Sequence, residues 1–483
     1  MEMMSEVGKN AGKRYQQERI AHWDSVACKL DNWKGWGGTY HRRLEDIYRS
    51  FVAPGRRVIE IGCGAGDLLA ALKPAVGVGV DFSAGMVRYA AKRHPGLRFI
   101  QADAHNFRLD DKFDVIILSD LVNDLWDVQK VLQEIRCLSS PQTRIILNFY
   151  SHLWELPLNL AKRLKLAKPV LYQNWLTIED MINLMNLAGF DVIRHWEEIL
   201  WPFATPVLGS LLNQFLAKIW PLKHLALAHF MVGRPAPGDN QGARDLKVSV
   251  IIPARDEEGN ILEIFARAPE MGSGTELVFV EGHSKDNTYQ VIERAIVKQP
   301  ERQCKLLHQT GIGKGDAVRL GFAHASGDIL MILDADLTVP PEDLPRFYEV
   351  LSSGKGEFVN GVRLIYPMEK QAMRFLNILG NKFFSLAFSF LLGQPIKDTL
   401  CGTKALRRDQ YDLIAENRAY FGDFDPFGDF DLLFGAAKLN LKIVEMPIRY
   451  RERSYGTTNI SRWRHGWLLL KMVLFASRRI KFV

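Results

Sequence analysis

Cysteine is scarce in this 483-residue chain, and none of its five cysteines forms a CxxC pair. They stand far apart in the sequence, at Cys28, Cys63, Cys137, Cys304 and Cys401. This spacing argues against a disulfide framework and against a zinc site. The first twenty residues are polar and lack the apolar core of a secretory signal. These absences predict a protein of a reducing compartment, the cytoplasm.

Apolar runs in the second half are too short to cross a membrane. One, from Phe383, is about ten residues long, and another, 466–477, has twelve and contains Lys471, whereas a spanning helix needs about 20. Residues 446–483 hold nine Lys and Arg against one Glu. We therefore expect helices on an anionic membrane surface and a peripheral protein, with a solvated basic helix as the alternative. The other 445 residues carry 53 basic and 54 acidic side chains, so we expect no nucleic-acid partner.

Strand-like apolar runs alternate with helical stretches twice along the chain. This pattern is typical of α/β domains, and in the first series it predicts a parallel sheet. The first series is RRVIEIG, AVGVGVD, LRFIQAD, FDVIILS and TRIILNF, and the second is VSVIIPA, ELVFVEG, DILMILDAD and GEFVNGV. A stretch rich in Pro, Gly and polar residues separates them, so we expect domains at 1–235 and 247–483 with a linker at 236–246.

A glycine turn follows the first strand of the first series, in VIEIGCGAGDLLAAL. Gly62, Gly64 and Gly66 let the backbone approach a ligand, and the helix that follows offers free N–H groups. Asp81, 19 residues after Gly62, ends the next strand and can accept hydrogen bonds from a ribose. A dinucleotide would suit this pattern too. Glu60, the GxGxG spacing and the pair Asp103-Ala104 favour another cofactor.

These motifs together resemble the class I S-adenosylmethionine-dependent methyltransferases, over roughly residues 35–235. The resemblance implies a Rossmann-like fold and S-adenosylmethionine as cofactor. The implied contacts are the methionine end at Glu60, Gly62 and Gly64, the ribose at Asp81, the adenine at Asp103 and Ala104, and the transferred methyl group at Asp120. Tyr40 and His41 resemble the N-terminal segment that closes over the cofactor.

The first half shows no obvious catalytic base. His105, Asp124 and His152 follow strands that should end near the cleft, and we expect each to be an ordinary loop or packing residue. The apolar segment 201–230 is broken by three prolines, so we expect it not to span a membrane. We expect buried core there, with a lid or a docking surface as the alternative.

Two aspartates, Asp334 and Asp336, stand one residue apart at the end of an apolar run in the second half. Within a strand, residues two apart point to the same face, so both carboxylates would converge on one spot. Burying two like charges together is costly unless a partner compensates them. A divalent cation is the usual partner, so the pattern predicts a metal site.

The ordered motifs of the second half resemble the family 2 glycosyltransferases, over nearly all of 247–465. These motifs are VSVIIPARDEEGNI, ELVFVEGHSKDNT, DILMILDADL, DTLCGTKALRRDQ and RERSYGTTNIS. Within the family they look most like the polyprenyl-phosphate group typified by dolichol-phosphate mannose synthase. The resemblance implies a GT-A fold, a nucleotide-sugar donor, a polyprenyl-phosphate acceptor and inversion at the anomeric carbon. It also implies that Asp334 and Asp336 hold Mg²⁺ or Mn²⁺ against the donor diphosphate.

Further residues of the second half match functional positions of that family. The nucleoside-binding positions fall on Pro253, Glu257, Glu281 and Asp286. Two departures, Asp256 for the usual Asn and Glu281-Gly282 for the usual Asp-Asp, leave the base and the sugar open. Asp431 matches the carboxylate that acts as a base toward hydroxyl acceptors and would only orient groups here, and Arg453 matches a phosphate-binding position. Lys404 and Arg407 are weaker candidates for the latter.

These observations predict a bifunctional enzyme that joins methyl transfer to sugar transfer at the cytoplasmic face of a membrane. Two alternatives remain open. The glycosyltransferase half could use the hydroxyl group of a glycan as its acceptor, and the first half could be a non-catalytic module that binds a cofactor or acts as a scaffold.

Overall fold

A computed structural model describes residues 2–30, 37–163, 171–203, 205–238, 245–363, 365, 375–418, 430–451, 453, 455 and 462–482. Among them it forms two compact units, the first ending at Ala236 and the second beginning at Pro237. Residues 239–244 lie outside the described residues, so the linker at 236–246 stays a prediction.

The first unit contains a seven-stranded sheet in the order β3-β2-β1-β4-β5-β7-β6. Its strands are β1 (Arg57–Ile61), β2 (Val76–Asp81), β3 (Arg98–Gln101), β4 (Phe113–Ser119), β5 (Ser139–Tyr150), β6 (Phe190–Glu198) and β7 (Ala228–Pro235). The five strands predicted from sequence are β1 to β5, and they are mutually parallel. The parallel sheet predicted from the first series is confirmed for these five strands. Strands β6 and β7 were not predicted, and β7 pairs antiparallel with both β5 and β6.

Helices cover the sheet of the first unit. They are α1 (Glu2–Ala27), α2 (Gly37–Phe51), α3 (Asp67–Ala71), α4 (Ala84–Arg93), α5 (Val128–Arg136), α6 (Glu155–Arg163), α7 (Ile178–Leu187) and α8 (Pro206–Gln214). Helix α5 shows why such segments fold locally. The Asp127 side chain accepts a hydrogen bond from the Lys130 amide at its start, and its buried stripe includes Val131, Leu132 and Ile135.

The second unit also has a seven-stranded sheet, in the order β10-β9-β8-β11-β13-β12-β14. Its strands are β8 (Val248–Ala254), β9 (Thr275–Glu281), β10 (Cys304–His308), β11 (Ile329–Ile332), β12 (Phe358–Val362), β13 (Lys404–Arg407) and β14 (Ile443–Pro447). The sequence predicted β8, β9, β11 and β12 but not the other three. Strand β13 runs antiparallel between β11 and β12, so this sheet is mixed as well.

Helices surround the second sheet. They are α9 (Ile261–Arg267), α10 (Thr288–Lys298), α11 (Lys314–His324), α12 (Leu344–Ser352), α13 (Phe375–Leu392), α14 (Arg408–Glu416), α15 (Phe430–Lys438) and α16 (Arg462–Ala476). The central strands β8, β9 and β11 are almost wholly buried. None of the helices described here combines the length and the apolar content that crossing a membrane requires.

The apolar segment 201–230 differs from the expectation of buried core. Its C-terminal end forms strand β7, whose residues are mostly buried. The rest combines buried residues, such as Ala217 and Ala226, with exposed apolar side chains, among them Val207, Leu208 and Trp220. The prediction of core is therefore wrong for these exposed positions, because apolar composition alone does not distinguish a buried helix face from one that faces outward.

Candidate functional sites

In both sheets the strand order reverses at one point, and ligands of open α/β folds bind at such a point. In the first sheet this point lies between β1 and β4, and in the second between β8 and β11. A crevice opens there at the carboxyl ends of the strands, because connecting segments leave the two neighbouring strands in opposite directions. Glu60 lies on β1 and Asp120 follows β4, while Glu257 follows β8 and Asp334 follows β11. The sequence thus places acidic side chains at both crevices.

The glycine turn after β1 requires glycine for two reasons. Gly62, Gly64 and Gly66 all have positive φ angles, of 74°, 50° and 76°, which L side chains rarely adopt. A side chain at Gly62 would also collide with Leu121, whereas a Cβ atom at Gly64 would meet no protein atom within 4 Å. The backbone at Gly64 therefore borders open space that a ligand can enter.

A cavity of about 2200 Å³ opens beside this turn. Seven of the eight residues that the sequence assigned to the cofactor line it, namely Glu60, Gly62, Gly64, Asp81, Asp103, Ala104 and Asp120. Gly66 is outside the lining, but its positive φ shapes the turn. Tyr40 and His41 line the cavity too, as the resemblance implies for a covering segment. The structure thus brings the assigned residues to one place, while their roles stay predictions.

Glu60 provides a test of whether this cavity fits S-adenosylmethionine. Its Oε2 atom is buried and has no hydrogen-bond partner. Burial raises the pKa of Glu60 to about 8, because an isolated carboxylate is unfavourable away from water. A ligand ammonium group would both satisfy Oε2 and restore its charge. The methionine end of the cofactor carries such a group, so the residues present fit it.

Asp81 and Asp103 are held by hydrogen bonds that leave oxygen lone pairs for a ligand. The amides of Gly64 and Ser83 donate to the two oxygens of Asp81, at 3.0 and 2.9 Å. Asp103 accepts hydrogen bonds from the amide of His105 at 3.0 Å and from its ring Nδ1 at 2.8 Å. Each carboxylate oxygen can accept a further hydrogen bond, as a ribose or an adenine amino group would offer.

Asp120 stands at the centre of a polar network under the cavity. It accepts hydrogen bonds from the Tyr40 hydroxyl at 2.8 Å and from the side-chain Nδ2 of Asn148 at 2.5 Å. Burial raises its pKa to about 6, although these hydrogen bonds act in the opposite direction. Its φ angle of 53° is unusual for a residue other than glycine and is the kind of backbone strain that concentrates at functional sites.

The three other candidate bases of the first half have local partners. The ring of His105 contacts Asp103 through Nδ1 and accepts the Asp127 amide through Nε2, at 3.2 Å. Asp124 lines the cavity 3.8 Å from Arg19. His152 lies outside the lining and is 3.7 Å from Glu155. These contacts favour the ordinary roles that the sequence led us to expect.

Helix α1 supplies residues that the sequence reasoning missed. Tyr15, Arg19 and Trp23 line the cavity, and the Gln16 side chain donates to Asp103 at 2.8 Å. Asp24 accepts a hydrogen bond from the Gly85 amide at 2.9 Å, which ties α1 to the start of α4. The sequence did contain a pattern that could have identified them, because residues 15, 19 and 23 recur at the spacing of one helix face.

In the second unit the two aspartates lie beyond the strand. Strand β11 ends at Ile332, so Asp334 and Asp336 belong to the loop that follows it. The expectation that both lie in a strand is therefore wrong. Asp334 pairs with Lys314 at 2.5 Å, and Asp336 pairs with Arg453 at 2.6 Å. Each carboxylate thus has its own cationic partner.

Arg453 links the two strand ends. Besides Asp336 it reaches Glu257, 3.5 Å away, across 196 residues of sequence. Glu257 also accepts the Asn260 side chain at 2.6 Å, and burial raises its pKa to about 7. Burial alone would raise the pKa of Asp334 as well, but Lys314 and more distant cations outweigh this and hold it below its usual range. Carboxylates and cations therefore alternate around the β8–β11 crevice.

The predicted nucleoside positions lie on the β8 and β9 side of the crevice. Pro253 is on β8, and Glu281 ends β9 beside the Ser284 amide, at 2.5 Å. Asp286 accepts the amides of Glu258 and Thr288, at 3.2 and 3.0 Å. The β8 and β9 loops are thereby joined, while nucleoside binding by these residues stays a prediction.

Two carboxylates are enough for the predicted metal when the substrate supplies phosphate oxygens. Mg²⁺ is usually held by one or two carboxylates together with substrate phosphates and water. Asp334 and Asp336 supply such hard oxygen donors, and both side chains are partly exposed. Among the described residues no group of three His, Cys, Asp or Glu side chains could hold a metal alone. The donor set therefore fits a metal that a diphosphate brings or shares.

Two residues at this crevice were missed in the sequence. Lys314 begins helix α11, twenty positions before Asp334, and its distance in sequence hid the pairing. Gly402 lies against the same pair, and any side chain there would collide with the Lys314 amine and the Asp334 carboxylate. The sequence did contain a signal, because Lys314 lies in the glycine turn GKGD and a lysine in such a turn is a candidate phosphate ligand.

The remaining candidates occupy three different places. Asp431, at the start of α15, accepts a hydrogen bond from Arg418 at 2.9 Å. Lys404 is fully buried and donates to the Cys401 carbonyl. Arg407 pairs in register with Ile329, at the opposite end of β11 from Asp334. That position argues against Arg407 as a phosphate ligand, while the role of Asp431 stays a prediction.

Comparison with known proteins identifies both units. Residues 53–200 match the family model described as a methyltransferase domain, and residues 249–413 match Glycosyl transferase family 2. Among solved structures, the chain is similar to an S-adenosylmethionine-dependent methyltransferase from Thermotoga maritima described as a possible histamine N-methyltransferase. The identity is 19% and the TM-score 0.34, covering 44% of this chain and 98% of that one.

Curated relatives match the second unit. The chain is 28% identical to a dolichol-phosphate mannosyltransferase of Pyrococcus furiosus over 49% of its own length and 67% of that protein's. It is 30% identical to an undecaprenyl-phosphate 4-deoxy-4-formamido-L-arabinose transferase of Shewanella sediminis, over 47% and 64%. The chain thus spans about two thirds of the length of these relatives. Both resemblances drawn from the sequence are confirmed: this chain is a transferase that joins a methyltransferase domain to a family 2 glycosyltransferase domain.

Proposed function

We propose that the second unit transfers a sugar from a nucleotide diphosphate donor to a polyprenyl phosphate. The observation that carries this proposal is the ring of alternating charges at the β8–β11 crevice, with Lys314 and Arg453 held by Asp334, Asp336 and Glu257. Cations fixed in this way can bind two phosphate-bearing substrates at once. The names of the curated relatives, which include dolichol and undecaprenyl phosphate, support the same acceptor class.

Transfer forms one bond and breaks another at the anomeric carbon. An acceptor phosphate oxygen bonds to the anomeric carbon as the bond between that carbon and the donor diphosphate breaks. The departing diphosphate takes the electron pair. Lys314 and Arg453 stabilise the charge that develops there, since preorganised cations act without reorganising. Asp334 and Asp336 would hold Mg²⁺ or Mn²⁺, which would neutralise further charge on the leaving group. A phosphate acceptor is already ionised near neutral pH and needs no general base.

We propose that the first unit transfers a methyl group from S-adenosylmethionine. The cofactor supplies an electrophilic methyl carbon, whose bond to sulfur breaks as the bond to the acceptor forms. The fit of Glu60 supports this function over a purely scaffolding role, because a scaffold has no use for a buried carboxyl group with one unpartnered oxygen. Asp120, which lines the cavity, would accept the proton of a hydroxyl acceptor.

The methyl-transfer rate should report the titration of Asp120. With a pKa of about 6, Asp120 is ionised above that pH, and the rate should fall by about tenfold per pH unit below it. Asp120→Asn should lose about a hundredfold in rate and this pH dependence. Asp110→Asn, at an exposed position, is the control. The pH profile of labelled methyl transfer measures both effects, and an unchanged profile in Asp120→Asn would contradict the assignment.

We propose further that the second unit lies on a membrane surface. Helix α13 exposes Phe383, Leu386 and Phe390 at helical spacing, and α16 exposes Trp467, Leu470 and Leu474 in the same way. These two helices contact each other. Lys471 and Arg478 are exposed beside the stripes and suit anionic headgroups. The five free cysteines support a cytoplasmic location.

The exposed stripe of α16 offers a direct test of this placement. Trp467→Glu should weaken binding to vesicles of anionic lipid by about tenfold, because a charge replaces a side chain suited to the interface. Val297→Glu, at an exposed apolar position on α10, is the matched control. Co-sedimentation with vesicles measures the difference. Equal vesicle binding by the wild type and Trp467→Glu would show that the exposed stripe of α16 does not contact the membrane.

A further inference from the structure

Asn148 is a fully buried amide side chain beneath the cofactor cavity. It lies on β5, in register with Ser119 of the neighbouring strand β4, and it is 0% exposed. It is not among the residues that line the cavity, whereas Ser119 and Asp120 are. A buried polar group of this kind is held by hydrogen bonds. Asn148 therefore acts on a ligand only through the side chains that it contacts.

Two hydroxyl groups fix which end of the Asn148 carboxamide faces Asp120. The Tyr48 hydroxyl donates to Oδ1 of Asn148 at 2.8 Å, and the Ser119 hydroxyl donates to the same atom at 3.0 Å. These bonds occupy both lone pairs of Oδ1. The amino group is turned the other way, and its Nδ2 donates to Oδ1 of Asp120 at 2.5 Å. Tyr48 is itself fully buried on α2, so this arrangement is held inside the protein.

The donor that faces Asp120 favours the ionised form of that carboxyl group. A hydrogen bond to a carboxylate lowers its pKa, whereas burial raises it. Both effects act on Asp120: burial raises its pKa to about 6, and the bonds from Tyr40 and Asn148 oppose this rise. Loss of the Asn148 donor would therefore raise the pKa of Asp120 further, toward neutral pH. A general base must be ionised to accept a proton, so Asn148 bears on the rate without touching a substrate.

Other titratable groups lie near Asp120 on neighbouring elements. Tyr40 faces it from α2 and Tyr150 from the end of β5, and burial raises the pKa of both well above the ordinary tyrosine value. The charge of Asp124, which follows β4, raises the pKa of Asp120. Glu60, on the adjacent strand β1, has a pKa of about 8. The two tyrosines are therefore neutral near pH 6, and Glu60 titrates separately from Asp120.

We propose that Asn148, oriented by Tyr48 and Ser119, is a positioning residue that keeps Asp120 ionised for methyl transfer. As the methyl carbon bonds to the acceptor oxygen, the electron pair of its bond to sulfur stays with sulfur and the hydroxyl proton passes to Asp120. The inference rests on the proposed methyl transfer and adds the residues that act behind its base. Asn148 itself makes no bond to the acceptor.

Carbon-13 NMR of protein labelled at the aspartate Cγ atoms measures the titration of Asp120 directly. The Asp120 signal is identified by its absence in Asp120→Asn. Its midpoint should lie near pH 6 in the wild type. In Asn148→Leu the midpoint should lie about one to two pH units higher, because a hydrogen bond to the charged form is lost. Tyr48→Phe should raise the midpoint by about half a unit, since the carboxamide keeps only one of its two donors.

Asn213→Leu is the matched control for the loss of a buried amide. Asn213 is buried as well and exchanges hydrogen bonds with the backbone of Trp201, at 2.7 and 2.8 Å. Its loss should cost stability without moving the Asp120 midpoint. An equal shift in Asn213→Leu, or an unchanged midpoint in both Asn148→Leu and Tyr48→Phe, would overturn the inference. Where Asn148→Leu does not fold, Tyr48→Phe decides the same question, because it removes a single hydroxyl group.

The pH profile of labelled methyl transfer, at saturating S-adenosylmethionine, gives a second readout. The acid limb of kcat/KM should move with the NMR midpoint. Asn148→Leu should therefore be about tenfold slower than the wild type at pH 6 and within about twofold of it at pH 9. A merely structural loss would lower the rate alike at both pH values and would overturn the inference.

The two readouts separate the inference from the proposed function. An unshifted NMR midpoint would overturn the inference alone, because the NMR measurement needs no methyl acceptor and leaves Asp120 as the base. A shifted midpoint with an unshifted acid limb would show that Asp120 is not the base. The proposed methyl-transfer chemistry would then lose its base, and the positioning role of Asn148 would fail with it.

Discussion

Replacing Asp336 by alanine is expected to lower sugar transfer by about a thousandfold, the largest effect of any single change in the second unit. Asp336 holds Arg453 at 2.6 Å and is one of the two proposed metal ligands. Its loss would therefore disturb both the cation and the metal that stabilise the departing diphosphate. Glycolipid formation from a nucleotide sugar and a polyprenyl phosphate, followed by mass spectrometry, measures the effect.

A matched control is available at the start of helix α14. Asp409 pairs with Arg407 at 3.3 Å, and its loss should leave the rate unchanged because that pair lies at the opposite end of β11. Comparable losses in Asp336→Ala and Asp409→Ala would show a general effect on folding instead. Near wild-type activity in Asp336→Ala would contradict the proposed site.

Asp431→Asn distinguishes the two acceptor classes in the same assay. A hydroxyl acceptor needs a general base, so this change should then cost several orders of magnitude in rate. A phosphate acceptor needs none, so we expect only a mild effect. A large loss would favour the alternative in which the acceptor is a glycan hydroxyl.

Replacing Glu60 by glutamine should lower the affinity for S-adenosylmethionine by about a hundredfold. The Glu60 carboxylate is buried with one oxygen unpartnered, so an ammonium group that pairs with it gains much of its binding energy there. Glu179→Gln, at an exposed position on α7, should bind the cofactor as the wild type does. Calorimetry measures both affinities.

The protonation state of Glu60 gives a second test, namely whether cofactor binding releases a proton. With a pKa of about 8, Glu60 is mostly protonated at pH 7 without ligand, and pairing with an ammonium group favours its ionised form. Cofactor binding should therefore release close to one proton at pH 7, and affinity should rise with pH up to about 8. Titrations in two buffers of different ionisation enthalpy count the proton. A domain blind to the cofactor would instead favour the scaffold alternative.

Sequence reasoning located both crevices because their acidic residues follow apolar strands. Asp81 and Asp120 end or follow parallel strands of the first sheet, and parallel strands deliver their carboxyl ends to one edge. The same logic placed Glu257 and Asp334 in the second sheet. Strand periodicity contains this information for Asp81 and Asp334, whereas Asp120 and the role of Glu257 were assigned through the resemblance to known families.

The partners across the crevices could not be predicted in the same way. Lys314 meets Asp334, and Gln16 meets Asp103, only after distant segments have folded together. Strand β11 ends at Ile332, before both aspartates, so the spacing of an ideal strand does not describe them. Their separate cationic partners, Lys314 and Arg453, come from distant parts of the chain. Val207 and Leu208 were expected in the core because composition does not record which way a helix faces.

The central claim is sugar transfer to a polyprenyl phosphate, and one incubation tests it most directly. The detergent-solubilised protein is mixed with Mg²⁺ or Mn²⁺, a short polyprenyl phosphate and a panel of nucleotide sugars, and lipid products are identified by mass spectrometry. We predict a glycosyl phospholipid with one donor and its disappearance in Asp336→Ala. Binding of a nucleotide sugar without any lipid product from the whole panel would contradict the claim and make a hydroxyl acceptor the leading assignment.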